Sequence, residues 1–150
     1  MNLELKIPPP AVLAVTASSM WLLAKLGPLV SIPHGTAFGV LLMVGGLVLN
    51  IAGVITVRRA KTTFNPLKPE SATALVSTGL FGLSRNPMYL AMLIGLLGFA
   101  ICLSSPLALM GPAAFVLYMN RFQILPEERA LSSLFGSGYD AYKARVRRWI

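Results

Sequence analysis

The chain holds one cysteine and one histidine in 150 residues. A lone Cys102 excludes an intramolecular disulfide and a cysteine-based zinc site. His34 lies between Pro33 and Gly35, in a turn, with no partner ligand near it in sequence, so metal binding is not expected. One histidine and one aspartate, Asp140, give no basis for a Ser-His-Asp set. No phosphate-binding glycine loop and no G-x-G-x-x-G is present, which leaves soluble nucleotide-binding folds unsupported. Charge is also scarce. Asp, Glu, Lys and Arg make up 12% of the chain, against about 25% in a typical soluble domain. Apolar residues reach 55%, the mean hydropathy is +0.71, and the apolar residues lie in long blocks. These features indicate one bilayer-spanning domain.

The net charge of +8 comes from thirteen Lys and Arg against five acidic residues. The basic residues are split among separate loops. That is the pattern of cytoplasmic loops in a membrane protein rather than of a nucleic-acid-binding face.

Three prolines, Pro8-Pro9-Pro10, stop any helix from running through the short polar start. The apolar run after them has mixed charge before it and no clear small-x-small cleavage site. A retained span over 11–29 is therefore preferred to a signal peptide. Lys25 near its outer end can snorkel to the interface, and Trp21 is apolar-facing or interfacial. A turn with Gly27-Pro28 and Pro33-His34-Gly35 leads to the cleanest span, 36–57, about 33 Å of uncharged helix. Gly45-Gly46 and Gly53 would let a neighbour approach closely. Asn50 within the span suits an interhelical hydrogen bond.

A polar connection of about thirty residues follows. Its apolar anchors (Phe64, Leu67, Leu75, Val76, Leu80, Phe81) predict order against the membrane face. A third span over 87–103 begins at Pro87, with Asn86 as its N-cap. A fourth span covers 105–125 and is expected to kink at Gly111-Pro112. Gly95 and Gly98 on the third span suit packing or the entry of a ligand. Pro126 then starts a polar tail. Glu127 and Glu128 are expected at a helix N-terminus, where carboxylates are favoured. Tyr139, Tyr142 and Val146 recur at helical spacing opposite Lys143, Arg147 and Arg148, which predicts an amphipathic helix on the membrane surface. Trp149 fits an interfacial belt. The expected fold is all-α, with four transmembrane helices, a cytosolic loop between helices 2 and 3, and this tail. Four crossings put every Lys and Arg except Lys25 on one side, the cytoplasmic one, together with both termini. The expected cofactor region, 58–86 and 126–150, faces that side. The short chain and single cysteine suggest a prokaryotic inner membrane.

The polar residues at this mouth are Arg85, Asn86 and Tyr89, then Arg121, Glu127 and Glu128, then Tyr139, Tyr142 and Arg145. Carboxylates there can accept ribose hydroxyls or pair with a cation, and arginines can hold a carboxylate or phosphate. Interfacial salt bridges and belt tyrosines account for the same residues without chemistry.

Four segments carry a resemblance. They are Leu75-Val76-Ser77-Thr78-Gly79-Leu80-Phe81, Arg85-Asn86-Pro87-Met88-Tyr89, Arg121 with Glu127-Glu128-Arg129-Ala130-Leu131, and the run from Phe135 through Tyr139 and Tyr142 to Val146. In this order and spacing the chain resembles the isoprenylcysteine carboxyl methyltransferase and phospholipid methyltransferase superfamily of integral-membrane enzymes. One departure is Asn86, where the family usually has histidine. Asn86 can donate and accept hydrogen bonds but does not titrate near neutrality.

The resemblance implies S-adenosylmethionine as cofactor. It implies contacts from Asn86, Pro87, Tyr89 and Leu90, polar groups held by Glu127 and Glu128, and a pocket closed by Tyr139 and Tyr142. Arg85, Arg121 and Glu128 are the implied catalytic residues, with the two arginines orienting the acceptor. The implied partner is a lipophilic or lipidated acceptor, a prenylcysteine-type carboxylate first, entering from the lipid between helices near Gly95 and Gly98. A phospholipid amine acceptor, a non-catalytic membrane scaffold and a reductase using NADPH, related to sterol reductases, stay open as alternatives.

Overall fold

The computed structural model describes residues 3–60, 62 and 66–150, and their regular structure is entirely helical. Six α-helices follow in order: α1 Pro9–Ala24, α2 Gly35–Arg59, α3 Pro87–Leu103, α4 Met110–Tyr118, α5 Leu125–Phe135 and α6 Ser137–Arg145. Short 3-10 turns lie at Pro69–Ser71, Gly79–Gly82 and Pro106–Leu109, and a π-helical segment, Met119–Ile124, joins α4 to α5.

Only α2 among the described helices is long and apolar enough to cross a bilayer; α1 and α3 are shorter apolar helices. The first span expected over 11–29 is corrected to α1. The helix starts on Pro9, with Pro8 at its N-cap, and closes at Lys25, whose N–H bonds back to the Leu22 carbonyl. Gly27-Pro28 cannot extend it, because Pro28 has no N–H and disfavours helix at the residue before it. α2 begins after His34, which sits in the left-handed region at φ 57°.

α2 and α3 meet backbone to backbone. A Cβ on Gly39 would stand 2.5 Å from the Gly98 carbonyl oxygen, and one on Gly98 equally close to that of Gly39. Two turns on, a Cβ on Gly46 would stand 2.6 Å from the Ala91 carbonyl oxygen. Gly39, Gly46 and Gly53 recur every seventh residue and so share one face. The large side chains of α2, among them Phe38, Leu41, Val44, Leu47, Ile51 and Ile55, are exposed on the outside. Glycine inward and bulky apolar residues outward is the arrangement of a helix facing lipid. Asn50 Nδ2 donates to the Met88 carbonyl at 3.2 Å, the interhelical bond expected of it.

The expected fourth helix is different. The chain turns at Pro106–Leu109 ahead of Gly111-Pro112, so no kink falls at that pair. Beyond it the backbone stays right-handed helical through the π segment into α5. Glu127 and Glu128 fall in the first turn of α5, as expected, but α5 continues an existing helical run rather than starting from a loop. Pro126 is tolerated for a local reason. Its missing N–H would orphan the carbonyl four residues back, and Leu5 N–H bonds to that Phe122 carbonyl at 3.0 Å.

Polar contacts gather the N-terminal segment, the connection after α2 and the C-terminal tail at one end of the bundle. Val30 N–H to Ser104 O closes the other. The apolar face of the tail, expected to meet a membrane surface, packs within the protein. Tyr139, Tyr142 and Val146 are buried against Leu75, Leu131 and Phe135 of the same chain. Phe64 and Lys61, which entered the expected loop anchors and charge count, lie outside the described residues.

Candidate functional site

At the gathered end, a cleft of about 120 Å³ opens between the start of α3, the connection after α2, α5 and α6. Arg85, Asn86, Pro87, Tyr89, Glu127, Glu128, Tyr139 and Tyr142 all line it. Leu90, one residue further along α3, does not. The remaining wall is mostly apolar, with Leu75, Val76, Phe81 and Leu131.

Two polar groups of residues hold the cleft. In the first, Tyr89 Oη donates to Glu127 Oε1 at 2.5 Å, and Gln123 Nε2 donates to the same oxygen at 2.7 Å. Burial pushes the Glu127 carboxyl up to about 7, against the two hydrogen bonds, which favour its charged form; the nearby Glu128 charge adds to the rise. In the second, Glu128 is flanked by two arginines. Arg85 Nη2 stands 3.0 Å from its Oε1, and Arg148 reaches both oxygens, Nε at 3.0 Å and Nη2 at 2.7 Å. That fork raises the Arg148 guanidinium's proton affinity. The Nε–H of Arg85 is buried with no acceptor among the described residues. Burial also pushes the Tyr139 phenol upward and the Tyr142 phenol up to about 12, so both stay neutral donors. Tyr142 uses its hydroxyl on the Phe81 carbonyl at 2.7 Å, which pins the 3-10 turn before α3.

Asn86 occupies the N-cap position of α3, but its side chain does not cap the helix. Its Nδ2 donates instead to the Arg148 carbonyl at 2.9 Å, while its own N–H bonds to Ser84 Oγ. Arg85 N–H bonds to the Arg147 carbonyl, so consecutive residues before α3 grip the chain terminus. Trp149, expected in an interfacial belt, packs against the main core and donates to Asn120 Oδ1 at 3.1 Å.

Arg121 is not brought to the cleft. It pairs with Glu4, as does Arg129, and is largely exposed. Arg148 and Gln123 are the residues that sequence reasoning missed. Arg148 looked like one of several solvated tail charges. Gln123 stands four residues before Glu127, the spacing of side-chain neighbours on a helix, which is the signal that points to it.

On the next turns of α3 lies a second hollow, about 490 Å³, between α1, α2 and α3. Apolar side chains such as Leu13, Met43, Leu47, Met92 and Phe99 form its walls, with Gly46, Gly95 and Asn50 among them. Asn50 holds the Met88 carbonyl and Met88 lines the cleft, so one turn of α3 separates the two spaces.

The S-adenosylmethionine implied by the resemblance fits these donors. A cation suits Glu127, a carboxylate suits the unpartnered Arg85 Nε–H, and the apolar and aromatic wall suits a ring.

The chain is 46% identical over 63 residues to an uncharacterized protein of Haemophilus influenzae, covering 42% of this chain and all of that one. It is 31% identical over 112 residues to protein-S-isoprenylcysteine O-methyltransferase A of Arabidopsis thaliana, covering 73% of this chain and 55% of the relative. It is 30% identical over 114 residues to protein-S-isoprenylcysteine O-methyltransferase of Saccharomyces cerevisiae, covering 74% and 46%. The chain thus spans about half the length of these two named relatives. The family model described as phospholipid methyltransferase matches residues 35–138, from the start of α2 into α6. With that match and these relatives, the chain belongs to the phospholipid methyltransferase family.

Proposed function

We propose that the protein is an S-adenosylmethionine-dependent methyltransferase acting on a lipophilic acceptor at the cytoplasmic face of a prokaryotic inner membrane. The observation that carries this reading is the adjacency of the two spaces. A polar cleft with a buried carboxyl and an unpartnered guanidinium N–H lies one turn of α3 from an apolar hollow. A water-soluble donor and a lipid-borne acceptor need such neighbouring compartments. When bound, S-adenosylmethionine supplies an electrophilic methyl on a positively charged sulfur.

The chain's own work is binding, alignment and exclusion of water. Tyr89, Asn86 and Pro87 form the floor at the start of α3. Glu127 presents its carboxyl to a cationic group. Tyr139 and Tyr142 close the wall from α6, held neutral and oriented. Glu128 acts through the arginines, fixing Arg85 at the cleft wall and tying Arg148 to the same carboxylate.

For the acceptor, a prenylcysteine-type carboxylate is favoured by the named relatives and by Arg85. Arg121 stands with Glu4 outside the cleft, so Arg85 alone serves to orient it. A phospholipid amine is the second reading. It has to give up a proton, and the Glu127 carboxyl, poised near neutrality, is placed to take it. Proposed topology keeps both termini cytoplasmic, with four crossings near α1, α2, α3 and α4.

The test is calorimetric titration of the purified protein in detergent with S-adenosylmethionine, its demethylated product and NADPH. Binding of the first two is expected. Binding of NADPH alone would favour a reductase, and no binding a scaffold. Methyl-labelled cofactor supplied with a lipid extract then identifies the acceptor by the labelled product.

A further inference from the structure

Gln123 is 2% exposed, yet it does not line the cleft. It belongs to the π-helical segment Met119–Ile124, and π turns recur at functional sites. Three side chains of that segment each secure a different part of the chain. Asn120 accepts from Trp149 near the C-terminus, Arg121 pairs with Glu4 near the N-terminus, and Gln123 reaches the connection after α2. Gln123 alone among them also touches a cleft residue. Its Nε2 donates to the Pro66 carbonyl at 2.5 Å and to Glu127 Oε1 at 2.7 Å. An amide nitrogen has two hydrogens, so both are committed and none is left for a ligand.

We propose that Gln123 is a positioning residue of the cleft, holding Glu127 Oε1 in register with the Pro66 backbone and favouring the charged carboxylate. The bias follows from hydrogen-bond chemistry, since an N–H donor stabilises a carboxylate more than the neutral acid. The charged groups around Glu127 are few. Tyr89 from α3 donates to it. Glu128 lies beside it in α5, and Tyr139 approaches from α6. Arg85 and Arg148 are drawn to Glu128 rather than to Glu127. Among the described residues no cation compensates Glu127 directly, so the two neutral donors are what oppose the effect of its burial. The consequence for binding, that Gln123 keeps Glu127 anionic toward a cationic cofactor, rests on the methyltransferase reading above; the positioning itself does not.

The test uses the full chain in detergent micelles. Infrared titration follows the protonated-carboxyl band assigned to Glu127 by its loss in Glu127→Gln. Gln123→Met keeps the unbranched bulk and deletes both donors. Gln123→Asn is a methylene shorter and withdraws the amide from both partners while keeping a polar group; it serves if the first variant fails to fold. In either, the Glu127 midpoint is expected to rise by about one pH unit, the shift equivalent to a modest hydrogen bond to a charged group. Affinity for S-adenosylmethionine at pH 7 is expected to fall about fivefold, following the smaller anionic fraction of Glu127, and to recover as the pH is raised and Glu127 regains its charge. An unshifted midpoint overturns the proposal, and so does an affinity loss that is constant across pH, which is the mark of a purely structural role. A shifted midpoint in a protein that binds no cofactor upholds the positioning and removes the methyltransferase reading. An unshifted midpoint in a protein that binds does the reverse.

Discussion

α2 spans Gly35–Arg59 and buries five residues, four of them glycine. The helical run from Met110 to Phe135 is of similar length and buries Phe115, Met119, Gln123 and Ile124, with Glu127 and Glu128 facing the cleft. On α2 the contact is between backbones, and side-chain bulk is turned away from the protein. In the run, beside the apolar packing of Phe115, Met119 and Ile124, contact is made by individual polar side chains that reach partners far along the chain. The first kind of contact depends on the absence of atoms and repeats along the helix. The second depends on specific atoms and does not repeat. The two therefore fail in different ways.

The largest effect should come from the glycine seam. In Gly39→Leu the first added carbon would meet the Gly98 carbonyl oxygen and Cys102 Sγ, both at 2.5 Å. Backbone cannot give way as a side-chain tip can, so a loss of about 3 kcal/mol or more is expected, seen as loss of monodisperse protein in detergent. Gly45→Leu is the control, because a Cβ there meets nothing within 4 Å. If Gly39→Leu and Gly45→Leu melt alike, the seam does not hold α2 to α3.

This difference also sets what could be read in advance. α3 was placed at Pro87–Leu103, its actual bounds, because Pro87 suits a helix start and the apolar run is uninterrupted. Gly46, Gly53 and Asn50 were legible as contacts since helix spacing alone puts them on a face. Gly39, seven residues before Gly46, carries the same signal of a shared stripe. The far end of the bundle was less legible. Pro126 reads locally as a break, and only Leu5, distant in sequence, explains why the helix continues. Tyr139 and Tyr142 show an amphipathic face, but the pattern is the same whether protein or lipid covers it. Arg121 and Arg148 are equal as sequence symbols, and the fold sends one to Glu4 outside the cleft and the other to Glu128.

Next in size is the pH dependence carried by Glu127. Its folded carboxyl is raised from 4.5 to about 7 by burial. Between those values the folded chain holds a proton that the unfolded chain has lost. Stability should therefore fall as pH rises through that window, by up to about 3 kcal/mol. Glu127→Gln, which mimics the neutral acid, should flatten the curve. Melting temperatures from pH 4.5 to 8 measure it, and a Glu127→Gln curve parallel to the wild type would remove Glu127 as the source. A single polar tie should cost less. Trp149→Phe keeps an aromatic ring in the core and deletes the bond to Asn120, for a loss of about 1 kcal/mol by denaturant titration. A loss as large as that of Gly39→Leu would mean that the end of the chain is held by packing, as the seam is.

Asn86→His should change least, and it tests the comparison most directly. The Asn86 N–H bonds to Ser84 Oγ and its carbonyl accepts the first α3 bond from Leu90, so neither depends on the side chain. Only the Nδ2 bond to the Arg148 carbonyl is at stake. An imidazole N–H can donate to the same oxygen. Stability should stay within about 0.5 kcal/mol of wild type, the range of substitutions that remove no specific contact, and methyl transfer should be preserved or raised. Asn86→Leu has no donor and should lose about 1 kcal/mol. At Gly39 no larger side chain fits, whereas at Asn86 any donor of suitable reach should do. A folded but inactive Asn86→His would break that contrast, and would mean that the amide serves the ligand as well as the tie to the chain terminus.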